Sequence, residues 1–432
     1  MGELAGCACK REGAPGESRL RASSKYLRAG RQGSNAVTMH QKGRSFLLVC
    51  SSYPPVLGGS EIEAQRVCAA FLARGYQVLV LTTGGDPMPA VSRFIDPRGV
   101  PVRLFGGRAS GAARECLFAL GVGWTLFRER NNYDLVYFLM QGIHLAVGLP
   151  VARMLGKPIY MKISGSSIFP AMANSWIGRL ELRWLKRWAA RTMILNDGMR
   201  AEALEQGFRP EQLSWMPNPV DVEEFAPLSP AGRRELRTKL GVPADAVVVL
   251  YVGRLSPEKG VAMLVEAFAR VADRAPEALL FMVGDGPSRP SLEALREGLG
   301  LAARRVVFTG RVDPQVVKLW MQASDIFSLV SPNEGFPCAL VEAMATGLCS
   351  VVSDIPGNTQ LVHAGEHGLL APFDDQERIA EAILTLLRDP AQRARMGAQA
   401  RTLVVEQFST EQICGRYEEL FQESPVQADA GK

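Results

Sequence analysis

The sequence predicts an α/β protein of two domains, each built on a doubly wound parallel sheet. Its 432 residues exceed the length that one hydrophobic core usually supports, so two domains are expected. Short apolar runs alternate with longer helical patterns, as in parallel sheets that are covered by helices on both faces. With 47% apolar and 22% charged residues, the composition is typical of a soluble globular protein.

Residues 1–43 are predicted to form a disordered tail because they are rich in Gly, Ser and Arg and show no periodicity. The first 45 residues hold nine basic and three acidic residues, so they account for the net charge of +5. No general nucleic-acid surface is predicted for the rest of the chain. A mitochondrial targeting role for this tail is disfavoured by its acidic residues. Alternatively, translation could start at Met39, in which case most of the tail would not belong to the protein.

The eight cysteines are scattered, and their spacing matches neither a zinc site nor a disulfide framework. This usage favours a reducing compartment. The sequence shows no signal-peptide pattern and no apolar run long enough to span a bilayer. A cytoplasmic location is therefore predicted, and attachment to the inner face of the membrane is left open.

The first domain is predicted to occupy residues 44–217, with strands at 46–50, 77–83, 102–105, 135–139, 158–163 and 192–195. Gly58 and Gly59 follow the first strand, and Ser60 with Glu63 forms a capping-box pattern that would start the next helix. A strand, a glycine loop and a helix N-terminus in this order can bind phosphate, although the full dinucleotide-binding pattern is missing.

Polar residues follow two later strands of this domain. Ligands of parallel sheets bind beyond the carboxyl ends of the strands, and four residues fall there: Gln141, Lys162, Ser164 and Gly165. A lysine at such a position would meet a phosphate or an acidic acceptor, or would simply be exposed. His144 is predicted to be an ordinary helix residue.

An amphipathic helix of unusual composition is predicted between Ser175 and Arg191. One side of the helix is basic and carries Arg179, Arg183, Lys186, Arg187 and Arg191. The other side is apolar and carries Ile177, Trp184, Leu185 and Trp188. Such a helix can lie on an anionic membrane surface. The favoured alternative is that the tryptophans pack on their own sheet, and Glu181 on the apolar side weighs against insertion.

A proline-rich linker is predicted at 218–245, and the second domain at 246–408 has strands at 246–252, 279–283, 305–309, 325–330, 350–353 and 367–370. After its first strand, Ser256 is expected to cap a helix that begins at Pro257. Arg254 and Lys259 would then put two cations at a helix N-terminus, which is unfavourable unless Glu258 offsets them or an anion such as a diphosphate binds there. The alternative is that both are exposed surface cations.

The stretch from Ser331 to Glu342 is predicted to be the centre of the site. Pro337 suits a first helical turn, so the N–H groups of Gly335 and Phe336 would be free to bind an anion. If the chain between them is mostly helical, Glu334 and Glu342 lie roughly 12 Å apart. That separation is too large for a shared proton, so the two carboxylates would hold different parts of one long polar ligand. Taken alone, the favoured alternative is that Glu334 is an acid that suits a helix N-terminus and that Glu342 lies on a solvated helix face.

These elements resemble the retaining glycosyltransferases of the GT-B fold, in the large family 4 group. The resemblance covers residues 45 to about 422 and rests on four motifs: Asn218 to Asp221, Arg254 with Lys259, Gly284 to Pro287, and Glu334 with Glu342. It implies two Rossmann-like domains facing a cleft, with a last helix at 409–423 crossing back to the first domain. Residues 424–432 would form a disordered tail.

The resemblance also implies roles for particular residues. Glu334 would face the donor sugar, Glu342 would hold the nucleotide ribose, and Arg254 and Lys259 would bind the diphosphate, so that Glu334, Arg254 and Lys259 form the catalytic set. The implied donor-binding residues are Gly58, Gly59, Gly253, Arg254, Lys259, Gly284, Val312, Glu334, Gly335, Phe336, Pro337 and Glu342. Gln141, Lys162, Ser164 and Gly165 become acceptor-side candidates. The chain departs from the family by lacking the usual histidines after these strands.

The function implied is transfer of a sugar, with retention, from a nucleoside diphosphate sugar of the UDP or GDP type to a hydroxyl of a polysaccharide or lipid-linked glycan. No cofactor is expected, and no metal is needed if Arg254, Lys259 and backbone amides stabilise the charge that develops on the departing diphosphate, which agrees with the lack of an Asp-x-Asp triplet. Expected partners are the donor, the acceptor and an anionic membrane surface, but no nucleic acid. A non-catalytic nucleotide-sugar-binding protein is the alternative, and a dehydrogenase is disfavoured by the incomplete glycine pattern.

Overall fold

The computed structural model describes residues 45–56, 58–84, 91–107, 109–165 and 167–423. The predicted tails 1–43 and 424–432 lie outside these ranges. Two sheets, one wholly parallel and one parallel except for an edge strand, are each covered by helices on both faces and confirm the predicted pair of α/β domains.

The first sheet has eight strands in the order β3-β4-β2-β1-β5-β6-β7-β8. The strands are β1 (Ser45–Cys50), β2 (Gln77–Thr83), β3 (Val91–Ile95), β4 (Pro101–Phe105), β5 (Leu135–Leu139), β6 (Ile159–Lys162), β7 (Ala189–Ile194) and β8 (Leu213–Trp215). The sequence missed β3, which is an edge strand that pairs antiparallel with β4. The first sheet is therefore mixed, whereas a wholly parallel sheet was predicted.

The helices of the first domain leave the carboxyl ends of the strands. They are α1 (Gly59–Ala73), α2 (Gly111–Arg128), α3 (His144–Met154), α4 (Ile168–Ala173), α5 (Trp176–Trp188) and α6 (Asp197–Glu205). The capping box predicted at Ser60 and Glu63 is wrong. Helix α1 starts two residues earlier than a Ser60 cap would place it, its N-cap is Gly58, and no side chain caps it. The Glu63 side chain is instead buried beneath the helix.

The amphipathic helix α5 packs its apolar side against its own domain, which is the favoured alternative of the two predictions. Leu185 is fully buried, and the half-buried rings of Trp184 and Trp188 stack with centroids 5.2 Å apart. Trp176, at the start of the helix, is 70% exposed. Among the described residues, no helix has both the length and the apolar character required to cross a membrane.

The second sheet has six parallel strands in the order β11-β10-β9-β12-β13-β14. The strands are β9 (Val247–Val252), β10 (Ala278–Val283), β11 (Val306–Gly310), β12 (Ile326–Leu329), β13 (Cys349–Ser353) and β14 (Gly368–Ala371). The helices are α7 (Pro230–Lys239), α8 (Val261–Arg274), α9 (Arg289–Gly298), α10 (Pro314–Ala323), α11 (Cys338–Ala345), α12 (Pro356–Thr359), α13 (Gln376–Arg388) and α14 (Pro390–Gln407). The central strands β9 and β10 are almost wholly buried and wholly apolar, as is typical of strands covered on both faces, and β12 and β13 are buried but include Ser328, Ser350 and Ser353.

Helix α7 lies inside the segment that the sequence assigns to the linker. Arg233 and Arg237 on this helix bind the carboxylate of Asp325 at 2.7 and 3.4 Å, so α7 belongs structurally to the second domain. Pro230 begins the helix, where its missing N–H costs nothing.

The last helix, α15 (Thr410–Gln422), packs on the first domain. The hydroxyl of Tyr417 lies 2.9 Å from that of Tyr137 on β5, and Tyr160 on β6 donates to the carbonyl of Leu420 at 3.1 Å. The chain thus crosses between the domains twice, side by side: Val220 donates to Phe408, and Thr410 donates to Val220, each at 2.9 Å.

Candidate functional site

Lys259 and Glu334, which the sequence assigns to one site from distant segments, form an ion pair. The ammonium of Lys259 donates to both carboxylate oxygens of Glu334, at 2.8 and 2.9 Å. The Glu334 side chain is 7% exposed, whereas that of Lys259 is 31% exposed. Lys259 is therefore held by the glutamate but remains open to a ligand.

A close backbone approach joins the two loops that carry this pair. A short 3-10 helix (Pro257–Lys259) begins at Pro257 with Ser256 as its N-cap, as predicted, and Lys259 ends it; the α-helix α8 begins only after Gly260. Gly260 has φ +63°, and a Cβ there would lie 2.2 Å from the carbonyl oxygen of Val330. Only glycine fits such a position, which lets the loop after β9 press against the loop after β12.

The loop before α11 presents free backbone donors beside Glu334. Helix α11 begins at Cys338, with Pro337 as its N-cap rather than its first residue. The N–H groups of Gly335 and Phe336 donate no hydrogen bond to any described residue. Free N–H groups near a helix N-terminus attract anions, as the sequence predicts for this loop.

The N-terminus of α1 faces that of α11 across the domain boundary. A Cβ on Gly59 would lie 2.9 Å from the Sγ of Cys338, so the glycine pair of the first domain lies against the Glu334 loop. Burial raises the pKa of Cys338 to about 11. The thiol is therefore neutral at pH 7, and it adds no negative charge to a corner formed by two positive helix ends.

Three loops of the second domain lie side by side at the carboxyl ends of β9, β10 and β11. Leu255 donates to the carbonyl of Asp285 at 3.1 Å, and Gly284 donates to that of Gly310 at 3.1 Å. A Cβ on Gly284 would come within 1.9 Å of the Gly253 carbonyl oxygen, so a larger residue cannot fit. Arg254, on the first of these loops, is exposed, and Val312 follows the third.

Glu342 is held by a residue that the sequence did not indicate. Its Oε1 accepts from the Nη2 of Arg66, on α1 of the first domain, at 2.9 Å, while its Oε2 has no partner in the described part of the chain. Burial raises the pKa of Glu342, and the guanidinium of Arg66 opposes that shift. Glu334 and Glu342 thus have different partners, and the Oε2 of Glu342 is the atom that remains available to a ligand.

Lys162 does not reach the cleft, and its assignment as an acceptor-side residue is wrong. The side chain is fully buried and forms an ion pair with Glu63. Its ammonium also donates to the Oδ1 of Asn218 at 2.9 Å, and the hydroxyl of Tyr417 lies 3.5 Å away. Burial lowers the pKa of Lys162 and raises that of Glu63, whereas their attraction opposes both shifts. The lysine joins the first domain, the linker and the last helix.

A pocket of about 180 Å³ lies between the domains and contains Glu334. The first domain contributes Ser167, Asn196 and Glu202, among others, and the second contributes the Pro332 to Glu334 segment. Asn196 caps α6 and donates to the carbonyl of Gly335 at 2.6 Å, so it links the domains at the pocket wall. The arrangement leaves room for a sugar-sized group beside Glu334.

The other acceptor-side candidates lie at the predicted edge of the first sheet. Gln141 lines a second pocket, of about 350 Å³, between the loop after β5 and helices α4 and α5. Ser164 and Gly165 belong to the loop after β6, which leads to Ser167 in the pocket between the domains. His144 is fully buried against the ring of Phe118, and burial lowers its pKa to about 4, so it is a neutral structural residue.

Among the described residues, one group has the spacing of a metal site: His363, Glu366 and His367, whose ligand atoms lie within 4.8 Å of one another. This group lies just before β14. It makes no contact with Lys259 or Glu334, so it takes no part in the candidate site.

Both domains match glycosyltransferase families. Residues 232–403 match the family described as glycosyl transferases group 1, and residues 58–219 match the glycosyl transferase 4-like domain. Together the matches cover most of the chain, and they meet at the linker.

Individual relatives agree with the families. The chain is 29% identical to the alpha-D-kanosaminyltransferase of Streptomyces kanamyceticus, over 62% of this chain and 72% of the relative. It is 28% identical to the Escherichia coli UDP-Gal:alpha-D-GlcNAc-diphosphoundecaprenol alpha-1,3-galactosyltransferase, over 68% of this chain and 76% of that relative. Among solved structures, Anabaena HepE in complex with UDP and glucose superposes with a TM-score of 0.71 at 23% identity, covering 88% of this chain and all of HepE.

Proposed function

This chain is a glycosyltransferase with the GT-B fold, and on that premise we propose that it transfers a sugar, with retention of anomeric configuration, from a UDP- or GDP-linked donor to a hydroxyl of a polysaccharide or lipid-linked glycan. The family 4 group is the proposed affiliation. The observation that carries the proposal is the Lys259–Glu334 pair beside the free N–H groups of Gly335 and Phe336.

Departure of a nucleoside diphosphate develops negative charge on the phosphate oxygens. Lys259, the exposed Arg254 and the free N–H groups of the Glu334 loop are the donors available to stabilise that charge. Donors that are aimed in advance at a developing charge are among the largest contributions to enzymatic rate. We propose that the diphosphate attracts Lys259 away from Glu334 and thereby frees the carboxylate to accept hydrogen bonds from the donor sugar.

The acceptor is proposed to enter the pocket between the domains. Glu202 and Glu334 both line this pocket, and the Oε2 of Glu202 is buried without a hydrogen-bond partner among the described residues. Such an atom can accept a hydrogen bond from an acceptor hydroxyl. No enzymatic nucleophile is assigned, because retention is proposed to follow from attack on the same face that the diphosphate leaves.

Transfer is proposed to require no metal and no cofactor, since Lys259, Arg254 and backbone N–H groups supply positive potential where the diphosphate would lie. Transfer in buffer with excess EDTA should equal transfer with added Mg²⁺. A rate that collapses on chelation and returns with Mg²⁺ would contradict this part of the proposal.

The donor site is tested by thermal unfolding with UDP and GDP. A nucleotide present at 100 times its dissociation constant should stabilise the protein by about 2.7 kcal/mol. Lys259→Ala should lose that effect, whereas the exposed Lys239→Ala should keep it. Retention is tested separately, by assigning the anomeric configuration of the product with NMR. Transfer by Glu334→Ala at the wild-type rate would contradict the proposed site.

Contact with an anionic membrane is proposed to occur through α2 rather than α5. Helix α2 exposes four large apolar side chains along one face, each 47–63% exposed: Leu117, Leu120, Trp124 and Phe127. Near the same end of the domain, Met154 is 84% exposed, and Arg128, Arg130 and Arg153 are exposed without ion pairs to described residues. An exposed apolar stripe flanked by arginines is complementary to an anionic bilayer.

Vesicles of phosphatidylglycerol and phosphatidylcholine should sediment the protein, whereas vesicles of phosphatidylcholine alone should not. Trp124→Ala with Phe127→Ala should reduce sedimentation, whereas Leu299→Ala, which removes an isolated exposed apolar residue of the second domain, should not. Absence of wild-type sedimentation with anionic vesicles would remove this part of the proposal.

A further inference from the structure

A buried carboxylate without a partner lines the pocket of about 350 Å³ that Gln141 also lines in the first domain. Glu181 on α5 is 4% exposed, its Oε1 has no hydrogen-bond partner, and it forms no ion pair with any described residue. Burial without a compensating cation raises its pKa to about 7. Burying a carboxylate is costly unless it is neutralised or paired, so a cationic ligand group would relieve an existing cost.

The pocket around Glu181 combines apolar walls with hydrogen-bond acceptors. Its walls include Ile143, Ile168, Met172 and Ile177, and no lysine, arginine or histidine lines it. Gln141 also lines the pocket, and its amide Oε1 is buried without a partner. The pocket therefore offers one carboxylate and one amide oxygen, and its apolar sides fit the faces of a saturated ring.

This pocket adjoins the one that holds Glu334. Helix α4 separates the two: Ser167, just before the helix, lines the pocket between the domains, and Ile168, its first residue, lines the Glu181 pocket. Met140, directly after β5, and Ser167, the N-cap of α4, have φ values of +69° and +59°. Non-glycine residues in this region are strained, and such strain concentrates at ligand sites.

We propose that the Glu181 pocket binds the part of the acceptor that lies beyond the reacting unit in the pocket between the domains, and that it selects an acceptor whose ring at this position carries an ammonium group, as in an amino sugar or an aminocyclitol. The proposal rests on the proposed glycosyl transfer, because it assigns the pocket to the acceptor. An ammonium would donate to the Glu181 carboxylate and to the Gln141 amide oxygen, while the ring lies against the isoleucines. A neutral hydroxyl would leave the carboxylate uncompensated, and an acidic group would be repelled by it.

The probe for this pocket is cyclohexylammonium, compared with cyclohexanol as a neutral analogue of similar shape. NMR titration should show that the ammonium binds at least tenfold more tightly, since a hydrogen bond to a charged group outweighs a neutral one. Glu181→Gln should abolish the preference. Glu205→Gln, the same change on the exposed face of α6, should leave it intact.

A second variant keeps the test valid if Glu181→Gln does not fold. Ala171→Phe on α4 fills the pocket from its exposed rim without altering Glu181, and it should abolish binding of both probes. Equal affinity of the two probes, or a preference that survives both variants, would overturn the inference. Thermal stabilisation by UDP, measured on the same samples, separates this proposal from the proposed donor site. If UDP binds but the ammonium is not preferred, only the acceptor assignment is removed. If the ammonium is preferred but UDP does not bind, only the donor site is removed.

Discussion

The buried pair Lys162–Glu63 gives the sharpest test of the structure. Both side chains are fully buried, so Lys162→Met leaves the Glu63 carboxylate without a cation. Removing one partner of a buried ion pair costs about 3–5 kcal/mol, a large part of the roughly 5–15 kcal/mol that stabilises a typical domain. The loss is expected in the first domain, where the lysine also donates to Asn218.

Urea unfolding followed by tryptophan fluorescence measures this cost. With a slope of about 1–3 kcal/mol per M, the midpoint of the first-domain transition should fall by about 1 M or more. The double variant Glu63→Gln with Lys162→Met removes the unpaired charge, so it should recover much of the loss. Lys239→Met breaks an exposed pair with Glu235 and should cost less than about 1 kcal/mol.

The deficit of Lys162→Met should depend on pH. Burial holds the folded-state pKa of Glu63 above its unfolded value, and the variant lacks the cation that opposes this shift. Protonated Glu63 is then favoured in the folded state, so the deficit should be smallest below the unfolded pKa of about 4.3 and should grow as pH rises through the raised folded pKa. A variant that is no less stable than Lys239→Met, or a double variant that recovers nothing, would refute the assignment of a buried charge pair.

Three further predictions concern the site. Lys259→Ala should lower the transfer rate by about 10²–10³, since it removes a donor to the leaving group, and an initial-rate assay with nearly normal turnover would contradict this. Gly260→Ala should separate the Lys259 and Glu334 loops and reduce turnover at least tenfold, whereas Gly300→Ala, at φ +68° with open space around it, should change only stability. Arg66→Met removes the cation that joins the first domain to Glu342. It should therefore increase the radius of gyration measured by small-angle X-ray scattering, and unchanged scattering would count against an interdomain role.

Periodicity predicted most of the fold because strands covered on both faces are marked by apolar runs. The bounds predicted for Gln77–Thr83 and Leu135–Leu139 agree with the structure. Strand β3 was missed because it is a short edge strand in which the polar residues Ser92 and Arg93 are adjacent and the apolar Ile95 is exposed, so the run shows neither an alternating nor a buried pattern. Edge strands carry the weakest hydrophobic signal.

Long-range pairing explains the errors at the site. The capping box at Ser60 and Glu63 is a local pattern, but Glu63 pairs instead with a lysine 99 residues away. The strand end at Lys162 was predicted, yet position along the chain does not tell whether a side chain points into the cleft or beneath a helix. Glu181 was visible as a break in an apolar face, but the pocket that it lines arises only when α4 and α5 pack together. Arg66 had no sequence signal, because its partner Glu342 lies in the other domain.

The two neighbouring crossings at Val220 and Ser409 make the second domain an insertion within the first. The chain leaves the first domain and returns to it at nearly one point, as inserted domains do when their ends lie close together. A short turn from Pro219 to Thr410 would therefore excise the insertion and keep the eight-stranded sheet together with its own last helix. By contrast, a chain cut at the linker would lose α15 and uncover Tyr137 and Tyr160, so the first half of the sequence is not equivalent to the first domain.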